Sequence, residues 1–563
     1  MRIGLSLKLS EPKYNVLAQN IRALFADGSQ GWWYDDNDLT TLFQDSAGTT
    51  PVTAVEQFVG LQLDKSRGLV LGSEQSPGLA AFTLTASGTW SPSGAGYAFV
   101  DTVGGQVRPG VEFPSTSVPS GWYRLTFTVG SITGATQVRV DGVGASDILA
   151  GTGTYTGTVF LSATSKPRWR IEDTSTTIGD GFTLSNVSMR AIPGNHRYAP
   201  ASGNRPIWSK RVNLLTKTEQ FNDAVWANTI AGTGVAATVT ADQGTAPDGT
   251  NTADRIQFNL GGGTTTSDIT RRRQSYTTPA SSHTFSVYLR SFDGISSYNM
   301  HIVGPDGGTN NIVVTGAWQR FAVTATGTGS AVAYAVGLRG GQTPANSNTA
   351  DILAWAADLR PTNQATGLLP LYQRVNTSSD YDTNGFPGYL KADGVDDFLQ
   401  TNSINFTATD KITLCAGLRK LSDAAAGTVV DINGATGTNS FMLRAPAGAT
   451  ATYAFYSGGS VAFGGSALSP ASYTSPITNV LTGVGDISGD SAILRINGAQ
   501  AVAATGDQGT GNYSNLPVYF FRRQGTALPF TGYEYGNVAV GKLLTADQLT
   551  ALETYMNGLT RAY

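Results

Sequence analysis

Two groups of aspartates lie close enough in the chain to serve a hard cation. They are Asp35, Asp36 and Asp38 in Trp33-Tyr-Asp-Asp-Asn-Asp, and Asp393, Asp396 and Asp397 in Lys391-Ala-Asp-Gly-Val-Asp-Asp. Calcium takes six or more oxygens, which turn carboxylates and backbone carbonyls can supply. The more ordinary role of such residues is to bond neighbouring backbone within turns. Asp393, Asp396 and Asp397 stand as the metal candidate, for a structural calcium rather than a catalytic cofactor.

A second chemistry is glycan binding, in which an aromatic ring lies against the apolar face of a sugar, flanked by polar groups. Trp122 and Trp318 each begin an alternating run after a turn, a position that seals one end of a core. Trp90 and Trp226 sit nearer loops and are the stronger sugar candidates, although core packing competes at both. No tryptophan follows Trp355, so the C-terminal part would have to use tyrosines. In Thr452-Tyr-Ala-Phe-Tyr, alternation places Tyr453 with Phe455 on one face and Tyr456 on the other. Arg271, Arg272 and Arg273 form a dense basic run in a Thr/Ser/Gly-rich stretch read as a loop, with Arg272 the contact for anionic polysaccharide or lipopolysaccharide phosphate, and a solvated loop or an inter-subunit salt bridge the competing and more ordinary role.

Catalysis finds no support. Glycoside hydrolysis needs two carboxyls about 5 to 10 Å apart, and Glu172, Asp173 and Glu534 lack a recognisable partner. His196, His283 and His301 are scattered, and neither a Gly-x-Ser-x-Gly elbow nor a phosphate-binding glycine loop with lysine occurs. No catalytic residue is assigned. The single cysteine, Cys415, falls in the strand-like run Lys411-Ile-Thr-Leu-Cys-Ala-Gly-Leu and reads as a small buried hydrophobe.

The elements that must position these residues are strands. Only 14% of the 563 residues are charged and 68 are glycine, a mix suited to short strands and tight turns. One core cannot serve a chain of this length, so several domains are expected. A net charge of -3 offers no attraction to a polyanion, and nucleic acid is not expected as a partner. No apolar run approaches the length of a membrane span. The N-terminus reads as neither secretory signal nor anchor, and an extracellular type of architecture without an export signal suggests release by cell lysis or assembly into something larger.

Residues 1–30 form a strand, with Ile3, Leu5, Leu7 and Leu9 on one face, and then a helix with Tyr14, Leu17, Ile21, Leu24 and Phe25. This is a docking element. Residues 31–68 offer edge strands rather than an independent domain. Residues 70–195 and 212–361 read as two copies of one plan, with strands about every ten residues. At the C-terminus Thr545 and Gln548 make a capping box, Leu549, Leu552 and Tyr555 share a helix face, and Gly558 is placed as the stop.

The stretch Trp33-Tyr-Asp-Asp-Asn-Asp-Leu-Thr-Thr-Leu-Phe-Gln-Asp-Ser-Ala-Gly-Thr-Thr-Pro-Val-Thr, with Leu63-Asp-Lys-Ser, resembles the opening of concanavalin A-like (laminin G-like) domains of tailed-bacteriophage structural proteins. Lys391-Ala-Asp-Gly-Val-Asp-Asp-Phe-Leu-Gln-Thr and Ala416-Gly-Leu-Arg-Lys-Leu-Ser look like its continuation. Asn213-Leu-Leu-Thr-Lys-Thr-Glu-Gln-Phe and Thr245-Ala-Pro-Asp-Gly-Thr resemble carbohydrate-binding-module-like jelly rolls. The resemblance implies an all-β chain of antiparallel β-sandwiches with a short N-terminal strand-helix and a C-terminal helix. One discontinuous lectin sandwich would comprise 31–69, 196–211 and 362–563, interrupted by sandwiches at 70–195 and 212–361.

In function it implies a virion protein, of tail-fibre or receptor-binding type, contacting host polysaccharide or lipopolysaccharide. Other virion proteins would dock through residues 1–30, and a homo-oligomer such as a trimer would add multivalency. The alternatives are a capsid decoration, head-fibre or baseplate protein, and a polysaccharide depolymerase.

Overall fold

The computed structural model describes residues 18–563 apart from 115–117, 136, 144–146, 279–280, 366–368 and 433–435. The fold is all-β and built of antiparallel sandwiches. The expected strand at Ile3–Leu9 lies outside the described residues.

Two nine-stranded sheets form the largest sandwich. The first runs Gln57–Phe58, Ile207–Ser209, Tyr389–Asp393, Thr531–Val540, Lys411–Lys420, Ile477–Asp486, Ser491–Ile496 and Ala499–Ala504, and Gly31–Asp35 also pairs with Thr531–Val540. The second takes Leu42–Phe43, Leu61–Gln62, Arg197–Tyr198 and Leu399–Thr401, then Tyr519–Phe520, Thr428–Asp431, Ser440–Arg444, Ala454–Gly458 and Gly465–Leu468. Each sheet therefore draws strands from 31–62, from 197–209 and from beyond 389. The short strands of 31–62 add to ladders formed elsewhere because pieces of two to five residues cannot hold a sheet alone. Gly31 begins the pairing at Val540, and a side chain there would collide with the Ala539 carbonyl, 1.9 Å from where a Cβ would sit.

Between these segments stand two ten-stranded sandwiches with the same topology. When each one's strands are numbered in chain order, both have one sheet running 1-4-9-6-7 and another running 2-3-10-5-8. The first spans Thr83–Ala191 and the second Ala227–Pro361. Phe127 and Trp169 fill the first core, and Phe285 and Tyr334 the second.

The first sheet of the large sandwich is covered by two helices. Residues 18–23 are helical and continue in a turn, burying Ile21, Leu24 and Phe25 against Trp33, Tyr535, Tyr555 and Met556. The described part of the N-terminal segment is thus packed on its own chain. The helix Ala546–Thr560 opens on the expected Thr545/Gln548 capping box. It runs through Gly558, however, and ends on Arg561, whose φ of 55° supplies the left-handed cap. Leu559 and Thr560 are buried, so packing carries the helix past the glycine.

Polar knots close the necks of both inserts. At the first, the buried Asp64 carboxylate accepts from the backbone of Trp33 and Ser66 (both 2.8 Å), from Ser66 Oγ (2.7 Å) and from the Asn195 N–H (2.7 Å). Burial still raises its pKa to about 6. At the second, Gln373 accepts from the Val212 and Asn213 N–H groups (2.6 and 2.9 Å) and donates to the Lys210 and Asp382 carbonyls.

Inside the large sandwich Arg197 is fully buried. Its guanidinium donates to Gln62 Oε1 (2.8 Å) and Asp36 Oδ1 (3.2 Å), and its Nη1 lies 2.5 Å from Glu534 Oε1. The rings of Tyr34 and Phe520 lie 4.4 and 4.7 Å away. Burial, opposed by Arg197 and reinforced by Glu534, pushes the Asp36 carboxyl well up. Removing one member of a buried pair strands the other. Arg197→Met is expected to cost about 3–5 kcal/mol, read as a lower urea midpoint, and adding Glu534→Gln should recover part of that loss.

Candidate functional site

The five residues read from the sequence as glycan contacts lie in three different sandwiches. Trp226 is fully buried, its indole N–H donating to the Lys217 carbonyl (2.8 Å) and its ring packed on Phe221 at 4.7 Å. A turn in which the Trp226 N–H bonds the Asp223 carbonyl returns the ring to the core, so nearness to a loop did not mean exposure. Tyr453 is also fully buried, its hydroxyl donating to Asn479 Oδ1 (2.8 Å) beneath the Lys420 ammonium. Neither ring presents a face to solvent, which corrects their reading as sugar contacts.

The arginine run is not a loop but part of the strand Ile269–Thr277. Alternation turns Arg272 away from Arg271 and Arg273. Its guanidinium holds the Phe221 and Asp223 carbonyls (2.8 and 3.0 Å), making it a backbone clamp. Arg271 reaches across the sheet to His301 Nε2 (2.8 Å). Trp90 and Tyr456 remain half-buried. The first bonds the Leu79 carbonyl and stacks on Phe82 and Tyr97, and the second lies 5.0 Å beneath the Arg444 guanidinium.

A more continuous aromatic surface lies on the outer face of the second insert's 2-3-10-5-8 sheet. In Thr284-Phe-Ser-Val-Tyr-Leu-Arg, the residues Phe285, Val287 and Leu289 enter the core, and Tyr288 and Arg290 therefore face outwards. Strand register sets Trp355, Tyr288 and Arg320 side by side across three strands. Trp355 is buried beneath, 5.6 Å from Tyr288 and 5.0 Å from Tyr372. Trp318 is half-buried in the same patch with Phe292, its N–H bonded to the Thr245 carbonyl (3.1 Å) and the Arg290 guanidinium 5.5 Å above its ring.

Arg320 donates to Ser286 Oγ (2.7 Å). Among the described residues neither Arg290 nor Arg320 is in an ion pair, whereas Arg255 is held by Asp351 (2.8 and 2.6 Å). Rings with outward guanidinium donors suit a sugar bearing negative charge. Sequence reading assigned Trp318 to a core end. The outward alternation of Tyr288 and Arg290 was the signal that could have found this face.

The acids divide clearly. Asp35 and Asp38 flank Lys65 (3.0 and 2.7 Å) and Asp36 meets Arg197, so the first aspartate group is engaged by the chain's own cations. Asp393, Asp396 and Asp397 bring carboxylate oxygens within 4.8 Å of one another. Two are also turn acceptors, Asp393 from the Val395 N–H (2.7 Å) and Asp397 from the Asp393 N–H (3.0 Å). Three carboxylates supply part of a calcium shell, and the remaining oxygens would have to come from backbone or water. Glu172 is shared by Arg108 and Arg139, and Glu534 by Arg197.

No family model matches the chain, and no curated protein matches it. Among solved structures it is similar to the CBM40 of Ruminococcus gnavus IT-sialidase bound to alpha2,3 sialyllactose, at 17% identity over 26% of this chain and 83% of that one, with a TM-score of 0.21. A SAP-like pentraxin from Limulus polyphemus is 10% identical over 28% and 78% (TM-score 0.24). The botulinum neurotoxin serotype D binding domain is 10% identical over 30% and 42% (TM-score 0.24). At these scores the likeness bears on neither ligand nor partner.

Two outcomes follow from this placement. Trp226→Ala should cost about 3–5 kcal/mol of stability as a core truncation, measured by chemical unfolding. Burial, with Asp393 and Asp396 adding to it, raises the Asp397 carboxyl from 3.8 to about 7. A carboxyl raised in the folded state favours folding below 3.8, and that contribution is lost as pH rises towards 7. Melting curves of the wild type should therefore fall more steeply across that window than those of Asp397→Asn. Identical profiles would show that the carboxyl is not held up.

Proposed function

We propose that this chain is a glycan-binding virion surface protein, of tail-fibre or receptor-binding type, that contacts an acidic host polysaccharide through the outer face of its second insert. The observation carrying this reading is the partly exposed row of Trp318, Tyr288 and Tyr372 over Trp355, edged by Arg290 and Arg320 outside any ion pair among the described residues. An aromatic row on an outward sheet face leaves apolar area in water, and sugar rings cover such area while guanidinium donors meet carboxylate or phosphate. Loops and inserted modules carry binding surfaces more often than the core that bears them, which supports placing the contact on an insert.

The reading is of a binding protein without a catalytic role. The acids that hydrolysis would need are engaged, Glu172 and Glu534 with arginines and Asp173 with the Ser175 N–H. Placement in a virion, and a homo-oligomer that multiplies weak contacts, belong to the same proposal and rest on the sequence resemblance. A calcium ion at Asp393, Asp396 and Asp397 would order that turn and take no part in sugar contact.

Trp318→Ala and Tyr288→Ala should each weaken binding to host capsule or lipopolysaccharide about tenfold, with unchanged melting temperature. Arg290→Gln should flatten the salt dependence. The measurement is a glycan array with the full chain, followed by titration of the variants. An array without hits, or variants that bind like the wild type, would turn the assignment towards a virion protein partner.

A further inference from the structure

Where the second insert meets the large sandwich there is a cavity of about 190 Å³. The insert contributes Tyr276 and His283, and the large sandwich contributes Arg419, Tyr389 and Tyr533, with Arg211 from the connecting segment. Among the described residues its lining contains two arginines and no aspartate or glutamate. Tyr389 and Tyr533 stack at 4.1 Å and form a flat wall.

Two buried polar atoms on this lining lack partners among the described residues, and they are complementary in kind. Arg419 is only 5% exposed, no carboxylate among the described residues pairs with it, and its Nη1 is a buried donor with nothing to bond. His283 is fully buried. Its Nδ1 lies 2.9 Å from the Ser281 carbonyl, which can only accept, so Nδ1 carries the proton and Nε2 presents a lone pair. That Nε2 is buried without a partner. Burial, with the nearby Arg419 charge, lowers the His283 pKa and keeps the ring neutral at pH 7. Unpaired buried polar atoms are rare in folded proteins, and a guanidinium with no counter-charge is costlier still.

We propose that this cavity binds a small hydroxylated carboxylate, with its carboxylate on Arg419, a hydroxyl donating to His283 Nε2 and its carbon skeleton against the tyrosine wall. The site is separate from the outer aromatic face and does not depend on it. Its ligand class is that of acidic monosaccharides and short hydroxy acids, either free or at the end of a glycan.

The full chain is titrated calorimetrically with glucuronate, glucose and acetate. Glucuronate should bind saturably, acetate more weakly, and glucose, which lacks the carboxylate, not at all. Arg419→Gln should weaken glucuronate by about ten- to a hundredfold. His283→Phe keeps a ring in place and should weaken glucuronate while leaving acetate unchanged. Trp318→Ala should leave all three unaffected, which separates this site from the aromatic face. An oligosaccharide ending in glucuronate that binds as well as the free acid identifies a glycan terminus as the source, and binding of the free acid alone identifies a small metabolite. Absence of saturable glucuronate binding by the wild type, equal binding of glucose, or full binding by a folded Arg419→Gln would overturn the proposal. Should Arg419→Gln fail to fold, the wild-type comparison and His283→Phe decide it.

Discussion

One guanidinium holds three distant stretches of chain together. Arg197 lies on the strand by which the chain returns from its first insert, Asp36 and Gln62 precede that insert, and Glu534 lies near the C-terminus. A buried cation tolerates few arrangements, because each donor needs an acceptor and the charge needs a counter-charge. The strands on either side are too short to fix their own register, only two residues at Leu61–Gln62 and at Arg197–Tyr198. Hydrophobic burial would accept several alignments of such pieces, whereas the Arg197 cluster accepts one. The aromatic rings around it and the Trp32–Asn537 hydrogen bond complete a polar centre inside an otherwise apolar core.

Much of the architecture was legible in the sequence because strands announce themselves by alternation. Core residues Phe285, Val287 and Leu289, and the N-terminal cap of the last helix, follow from local pattern and local hydrogen bonding. The failures arose where tertiary context decides. Gly558 has the chemistry of a helix stop, but Leu559 and Thr560 find burial one step further and Arg561 accepts the left-handed cap. Arg271 to Arg273 look like a solvated loop in composition, yet pairing with Ala335–Gly337 makes them a central strand. Trp226 and Trp318 exchanged the roles that their sequence settings suggested, since whether a ring beside a turn folds in or out depends on which sheet closes over it.

The two inserts show how little a shared scaffold says about a surface. Their strand order is the same, and in both the 2-3-10-5-8 sheet turns one face away from its own core. In the first insert that face carries threonines, with Thr126 paired to Thr156 and Thr128 to Thr154. In the second it carries Tyr288, Trp355 and arginines. Inward positions conserve volume for packing and outward ones are free to differ, so ligand chemistry can change without disturbing either core.

The pairing of Gly31–Asp35 with Thr531–Val540 also sets an order of events during synthesis. Trp32 meets Asn537 across 505 residues of sequence. The first strand of the large sandwich therefore leaves the ribosome long before its partner exists, while each insert has all ten of its strands within one continuous stretch. Domains fold as units as they emerge, and long-range strand pairing comes late. The inserts mature first and the body that bears them closes last, with an unpaired apolar strand waiting throughout. A ribosome that stops short of residue 531 releases two finished modules on an open frame.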